Sequence, residues 1–154
     1  MMRERATCIT IRGNEILFVQ QMVNGQSRNV FVGGGIEENE TPQETALREL
    51  KEETNVDGEI IFGPAIIEKK MKEYVFVVRI ADYAQPTLGY DPELPLDKQE
   101  IKSLNWLDTI EDIGLFNKFD CAYFQAIIDE SKSKEIKEYW VAVLENIILH
   151  NTAK

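Results

Sequence analysis

Residues 30–56, VFVGGGIEENETPQETALRELKEETNV, constrain the chain most, because an apolar strand there meets three glycines and then a helix with its charges on one side. Thr41-Pro42-Gln43-Glu44 supplies an N-cap, a proline at the first helical position and a glutamate at the third, the capping-box arrangement. The spacing predicts a helix that starts at Thr41, runs without a breaker and ends near Thr54 or Asn55. At about 100° per residue, Glu49, Glu52 and Glu53 share one side, while Ala46, Leu47, Leu50 and Thr54 cluster on another. The first side faces solvent or a site, and the second faces a core.

Like charges on one helical face repel by a few tenths of a kcal/mol per pair even when exposed. A hard divalent cation such as Mg²⁺ or Mn²⁺ takes oxygen ligands and would turn that repulsion into binding. Arg48, four residues before Glu52, can hold that carboxylate through a charge-assisted bond. From these residues alone two readings stand, a solvated acidic face and a cation site. Val30-Phe31-Val32 running into Gly33-Gly34-Gly35 has two readings as well. It is either a strand-ending turn or a place where the backbone approaches a ligand closely and takes conformations closed to other residues.

The spacing of Gly34, Glu40, Arg48, Glu49, Leu50, Glu52, Glu53 and Val56 resembles the signature of the Nudix (MutT-like) hydrolases. Asn55 stands where that signature has glycine, a left-handed position that asparagine tolerates best among the other residues. The expectation is a small loss of stability, recoverable by Asn55→Gly. The resemblance implies an α/β (α+β) fold, an α/β/α sandwich with a mixed sheet, here followed by C-terminal helices. It also implies a metal site on Glu49, Glu52, Glu53 and the Gly33 carbonyl, with Arg48 orienting the carboxylates. Further along, Asp97 to Leu107 resembles the family's later strand, in which Glu100 is a metal ligand or general base and Trp106 a core residue. Apart from the resemblance, Glu100 reads as surface.

The chain has 154 residues, 44% hydrophobic and 29% charged, which suits one soluble globular domain spanning 1–154, with 112–154 as a helical extension packed on it. A net charge of −10 argues against nucleic-acid polymers, whose binding rests on Lys and Arg. It does not exclude a small polyphosphate, for which bound metal supplies the positive charge. Cys8 and Cys121 lie far apart with no CxxC motif and read as buried thiols of a reducing compartment. The first residues carry no apolar signal core and no apolar run is long enough to span a bilayer, so the expectation is a cytoplasmic protein with no membrane partner. The only histidine, His150, falls in the C-terminal tail, which disfavours His-based triads and metal sites.

Strands are expected at 4–12 and 15–22 around Gly13-Asn14, at 29–33, at 59–68, at 72–83 and near 100–107. Residues 84–95, with three prolines and a glycine, read as a loop that either borders the substrate or is a plain connection. Two helical stripes follow, Phe119, Tyr123, Ala126, Ile127 and then Ile136, Tyr139, Trp140, Val143, Leu144, Ile147, Ile148. They read as core, as a homodimer contact or as a pocket wall offering Trp140 or Tyr139. Tyr74 lies eighteen residues past Val56, near a place loosely associated in the family with dinucleoside polyphosphates, but it opens an apolar strand and reads as packing.

The expected activity is therefore Mg²⁺- or Mn²⁺-dependent hydrolysis of a phosphoanhydride bond in a small nucleotide. A nucleoside triphosphate, oxidised or not, stands first. Nucleotide sugars, ADP-ribose and dinucleoside polyphosphates follow. A nucleotide-binding regulator would show eroded glutamates, and here they are intact. A purely structural acidic helix would leave the capping box and the triple glycine as coincidence.

Overall fold

A computed structural model describes residues 3–89, 95 and 101–152. Its elements are β1 (Arg3–Arg12), β2 (Glu15–Val23), β3 (Gln26–Gly35), α1 (Pro42–Thr54), β4 (Glu59–Glu68), β5 (Met71–Arg79), β6 (Ile101–Asp108), α2 (Lys118–Ser133) and α3 (Tyr139–Thr152). The six strands form one mixed sheet in the order β4-β5-β1-β3-β2-β6. Among the described residues only the β1–β5 pair is parallel.

The sheet separates two apolar layers because strand side chains alternate between its faces. Ala6, Cys8, Leu17, Val32, Phe76 and Val78 pack with Ala46 and Leu50 of α1. Ile9, Ile11, Phe18, Phe31, Val75 and Val77 point the other way, against Phe124 and Ile127 of α2 and Trp140, Leu144 and Ile147 of α3. The result is the expected α/β/α sandwich with C-terminal helices. Leu50 is fully buried, so truncating it to alanine should cost about 2–5 kcal/mol and loosen α1 from the sheet.

Several elements depart from the sequence reading. β3 begins at Gln26, because Asn24 (φ 51°) and Gly25 (φ 79°) make a tight left-handed turn that joins it to β2. It also continues through all three glycines, which pair with Arg5, Ala6 and Thr7 of β1. The glycine stretch is thus strand and not loop, and none of the three has a positive φ. β5 stops at Arg79, four residues early, where a turn closes with Ala84 N–H donating to the Ala81 carbonyl. In the helices the expected stripes are turned slightly about their axes. Phe119 is 63% exposed while Phe124 is fully buried, and Tyr139 is 56% exposed while Val141 is buried. The hydroxyl of Tyr139 instead donates to the Gly13 carbonyl at 3.1 Å. Tyr74 and Trp106 are partly buried against the layer on the α1 side, with Arg12 stacked 4.0 Å over the Trp106 ring.

Candidate active site

α1 begins as its sequence demands. Glu44 N–H donates to Thr41 Oγ1 at 3.1 Å, and Thr41 N–H donates back to the Glu44 carboxylate at 2.9 Å. With Thr45, Ala46, Leu50 and Thr54 buried toward the sheet, the acidic side is carried over the end of β3. There the glycines matter for space. A Cβ on Gly34 would overlap the Glu49 carboxylate, and one on Gly33 would strike the Ala6 carbonyl. Lacking side chains, the strand lets two helix carboxylates settle against its backbone, and Gly33 N–H donates to Glu53 Oε2 at 3.1 Å.

Arg48 organises the rest. It donates from Nε and Nη2 to both oxygens of Glu40, at 2.6 and 3.0 Å, a bidentate pair. Nη1 reaches Glu49 at 3.0 Å and Glu52 at 3.1 Å, and Nη2 also reaches the Gly35 carbonyl at 3.2 Å. These bonds hold the Glu40 carboxyl down at about 2, helped by a bond from the Thr45 hydroxyl. The three helix glutamates are not equivalent. Glu52 is 58% exposed, whereas the side chain of Glu49 is only 15% exposed. Burial pushes the Glu49 carboxyl up against the opposing pull of Arg48. Burial and then the Glu49 charge push Glu53 up to about 8, offset in part by the Gly33 N–H.

The far end of α1 holds an arrangement the sequence reading missed. Asn55 has the expected left-handed backbone (φ 62°), but its side chain is engaged. Its Nδ2 donates to Thr87 Oγ1 at 2.9 Å and to the Thr87 carbonyl at 3.3 Å. Thr87 and Gly89 N–H groups donate to the carbonyls of Thr54 (2.9 Å) and Glu53 (2.8 Å), satisfying helix-end acceptors. A Cβ on Gly89 would overlap the Glu52 carbonyl. The start of the 84–95 segment is therefore fastened to the helix that carries the glutamates. Asn55 is a fastening as well as a turn residue, so the expected gain from Asn55→Gly is reversed.

The structure brings Gly33, Arg48, Glu49, Glu52 and Glu53 together, whereas Glu100 lies outside the described residues. Arg5 lies beside Gly33 and pairs with Glu73, near which Tyr123 stands, and all three were missed. The readable signal was Glu73, a charge set just before the apolar run Val75 to Val78. Among the described residues no three His, Cys, Asp or Glu side chains converge as a preformed metal cluster. Arg48 instead takes up Glu49 and Glu52 oxygens. The donor set is nonetheless that of a hard cation, with carboxylates and backbone carbonyls as the oxygens within reach. A carboxyl as far above its usual range as Glu53 gains by meeting a positive charge. The residues fit a divalent ion, for which Glu49 and Glu52 would have to give up their bonds to Arg48.

A six-stranded mixed sheet with a carboxylate-bearing helix seated on a glycine strand end defines a class of hydrolase folds. The NUDIX domain family model matches residues 1–119, and the chain belongs to that family. Its members are generally pyrophosphohydrolases that act on small nucleotides and typically use a divalent metal. No curated protein matches the sequence. Among solved structures, the NUDIX hydrolase from Nitrosomonas europaea is similar at 20% identity and TM-score 0.57, over 70% of this chain and 57% of that one. This chain therefore spans less than two thirds of that relative's length. The E. coli dihydroneopterin triphosphate pyrophosphohydrolase is similar at 18% identity and TM-score 0.57, over 82% of this chain and 95% of that one. An ADP-ribose pyrophosphatase from Streptococcus suis 89-1591 is similar at 16% identity and TM-score 0.53, over 71% and 75%. These likenesses show the fold. No helix among the described residues is long and apolar enough to cross a membrane.

Proposed function

We propose that the protein is a Mg²⁺-dependent hydrolase that breaks a phosphoanhydride bond of a nucleoside triphosphate by attack of water at phosphorus. The observation that carries this reading is the pairing of Glu49 and Glu53 with the bare backbone of Gly34 and Gly33, beside an Arg48 already committed to carboxylates. Glu49, Glu52, Glu53 and the Gly33 carbonyl would hold the cations, with Mn²⁺ able to stand in for Mg²⁺. Bound there, the cations would polarise the phosphoryl oxygens, lower the pKa of the attacking water and neutralise the leaving phosphate. Arg48, anchored on Glu40, orients the carboxylates of Glu49 and Glu52. Glu53 takes the proton of the attacking water, and Glu100 is the alternative acceptor.

The chain's net charge of −10 directs binding to a small anion escorted by metal and away from nucleic-acid polymers. The triphosphate ranks first because the chain is compact, like the family's enzymes that clear surplus or oxidised nucleoside triphosphates, and the similar E. coli protein is a dihydroneopterin triphosphate pyrophosphohydrolase. The similarity to the Streptococcus suis ADP-ribose pyrophosphatase makes ADP-ribose the first competitor. A panel of triphosphates, nucleotide sugars, ADP-ribose and dinucleoside polyphosphates, assayed for phosphate and pyrophosphate release with Mg²⁺ and with EDTA, tests the reading. Mg²⁺-dependent release from a triphosphate supports it. Turnover of ADP-ribose alone moves the substrate class, and binding without turnover makes the protein a regulator.

A further inference from the structure

The site contains a second arginine, and unlike Arg48 its donors are unspent. Arg5 of β1 pairs with Gly35 across the antiparallel ladder and with Glu73 across the parallel one. Its Nη2 lies against Gly33, 3.1 Å from where a Cβ there would stand, a tight approach that the glycine leaves free. Its Nε is buried and has no hydrogen-bond acceptor. The carboxylate of Glu73 stands 3.5 Å away as an ion pair and not as a bonded fork. Among the described residues the guanidinium donates no hydrogen bond at all. Arg48, by contrast, has every donor group engaged.

A structural pair of this kind would be expected to close into the bidentate geometry that Arg48 and Glu40 reach at 2.6 and 3.0 Å. Glu73 is 7% exposed, and it lies near the Tyr123 phenol, which burial first and the Glu73 carboxylate second push up. Tyr123 in turn rests edge-on against Phe31, 5.2 Å between centroids. The guanidinium is thus aimed by packing while its fork stays open. It is also close enough to the acidic side for its charge to offset the burial of both Glu49 and Glu53. A planar fork with free donors beside a carboxylate cluster suits a tetrahedral oxyanion that arrives with its own cations.

We propose that Arg5 binds the phosphate chain of the substrate, with Glu73 and Tyr123 as its positioning residues. This rests on the polyphosphate reading given above. It accounts for the acidic site accepting an anion: the cations meet the phosphate on the α1 side, and Arg5 meets non-bridging oxygens from the β1 side.

The test uses inorganic tripolyphosphate with Mg²⁺, titrated calorimetrically into the whole protein, so that the identity of the base does not enter. The double variant Arg5→Met, Glu73→Met replaces the ion pair by apolar side chains and keeps the fold, since a buried pair can be replaced in this way at little cost. It should weaken tripolyphosphate binding by about ten- to a hundredfold, the worth of a charge-assisted bond. Arg5→Lys, which keeps the charge and loses the fork, should fall between it and the parent. On the nucleotide turned over in the panel, Tyr123→Phe should raise KM and leave kcat within about twofold, an effect that simple loosening of α2 would not produce. If the parent binds and the double variant binds within threefold of it, Arg5 is structural and the inference is overturned while the hydrolase reading stands. If the parent binds neither tripolyphosphate nor any nucleotide of the panel, both are overturned.

Discussion

Replacing Glu53 by glutamine removes one charge at nearly constant shape, and the structure says what that does to stability at each pH. In the folded protein burial and the neighbouring Glu49 raise Glu53 from 4.5 to about 8. The folded state therefore holds this proton more tightly than the unfolded chain does. Stability from this group is full below about pH 4.5 and is lost progressively as pH rises through about 8. A difference of about 3.5 units at about 1.36 kcal/mol each sets an upper limit near 5 kcal/mol. Relaxation around the carboxylate brings the expected effect to about 2–3 kcal/mol. In EDTA, Glu53→Gln should then be more stable than the parent by about that amount at pH 8.5 and indistinguishable from it at pH 4. Millimolar Mg²⁺ at pH 8.5 should raise the parent's stability and narrow the gap, because the cation binds the ionised folded form. Urea unfolding of both proteins across this range, with EDTA or Mg²⁺, measures it. Parallel curves of stability against pH would show that Glu53 carries no raised pKa and would remove the electrostatic reason for placing a cation beside it.

The same variant should lower turnover at least about a hundredfold on the substrate found in the panel, and a loss under threefold would dismiss Glu53 from the chemistry. Asn55→Gly should lower Tm by about 2–4 °C, since the bonds to Thr87 outweigh any ease glycine brings at φ 62°; an equal or higher Tm would mean that the fastening contributes nothing. Gly34→Ala places a methyl in the Glu49 carboxylate and should cut the Mg²⁺-induced rise in Tm while the circular dichroism spectrum stays native, as calorimetry can check. In Glu49→Gln, Glu52→Gln, Glu53→Gln together the Mg²⁺ response should vanish, and an equal response would put the main cation site elsewhere.

What could be read from the sequence was what local chemistry decides. The capping box of α1 closes over four residues, and the Thr41 start and acidic face follow from spacing alone. Of the two readings of the glycines, the turn failed because their state is set from a distance. Gly33 to Gly35 pair with β1, whose backbone supplies the partner groups, while their bare backbone does admit a close approach, by Glu49. Phe119 misled for a different reason, since several residues near the start of α2 are apolar and the period alone does not fix the phase about the helix axis. Asn55 and Thr87 are 32 residues apart, and neither announces the other. Arg5, Glu73 and Tyr123 come from three separate elements, and only the folded sheet makes them neighbours.

The bidentate grip of Glu40 on Arg48 has a kinetic side. A guanidinium tethered by two short bonds could not diffuse away if a cation took Glu49 and Glu52 from it, and would stay within one side-chain rotation of both. Once such a cation left, the same positive charge could return to the carboxylates without any backbone motion. On the proposed function the helix would carry an internal counter-ion, and loading and release would be an exchange between two cations, one mobile and one captive. Loosening the captive one, as in Glu40→Gln, should change how quickly metal comes and goes more than it changes the shape of the site.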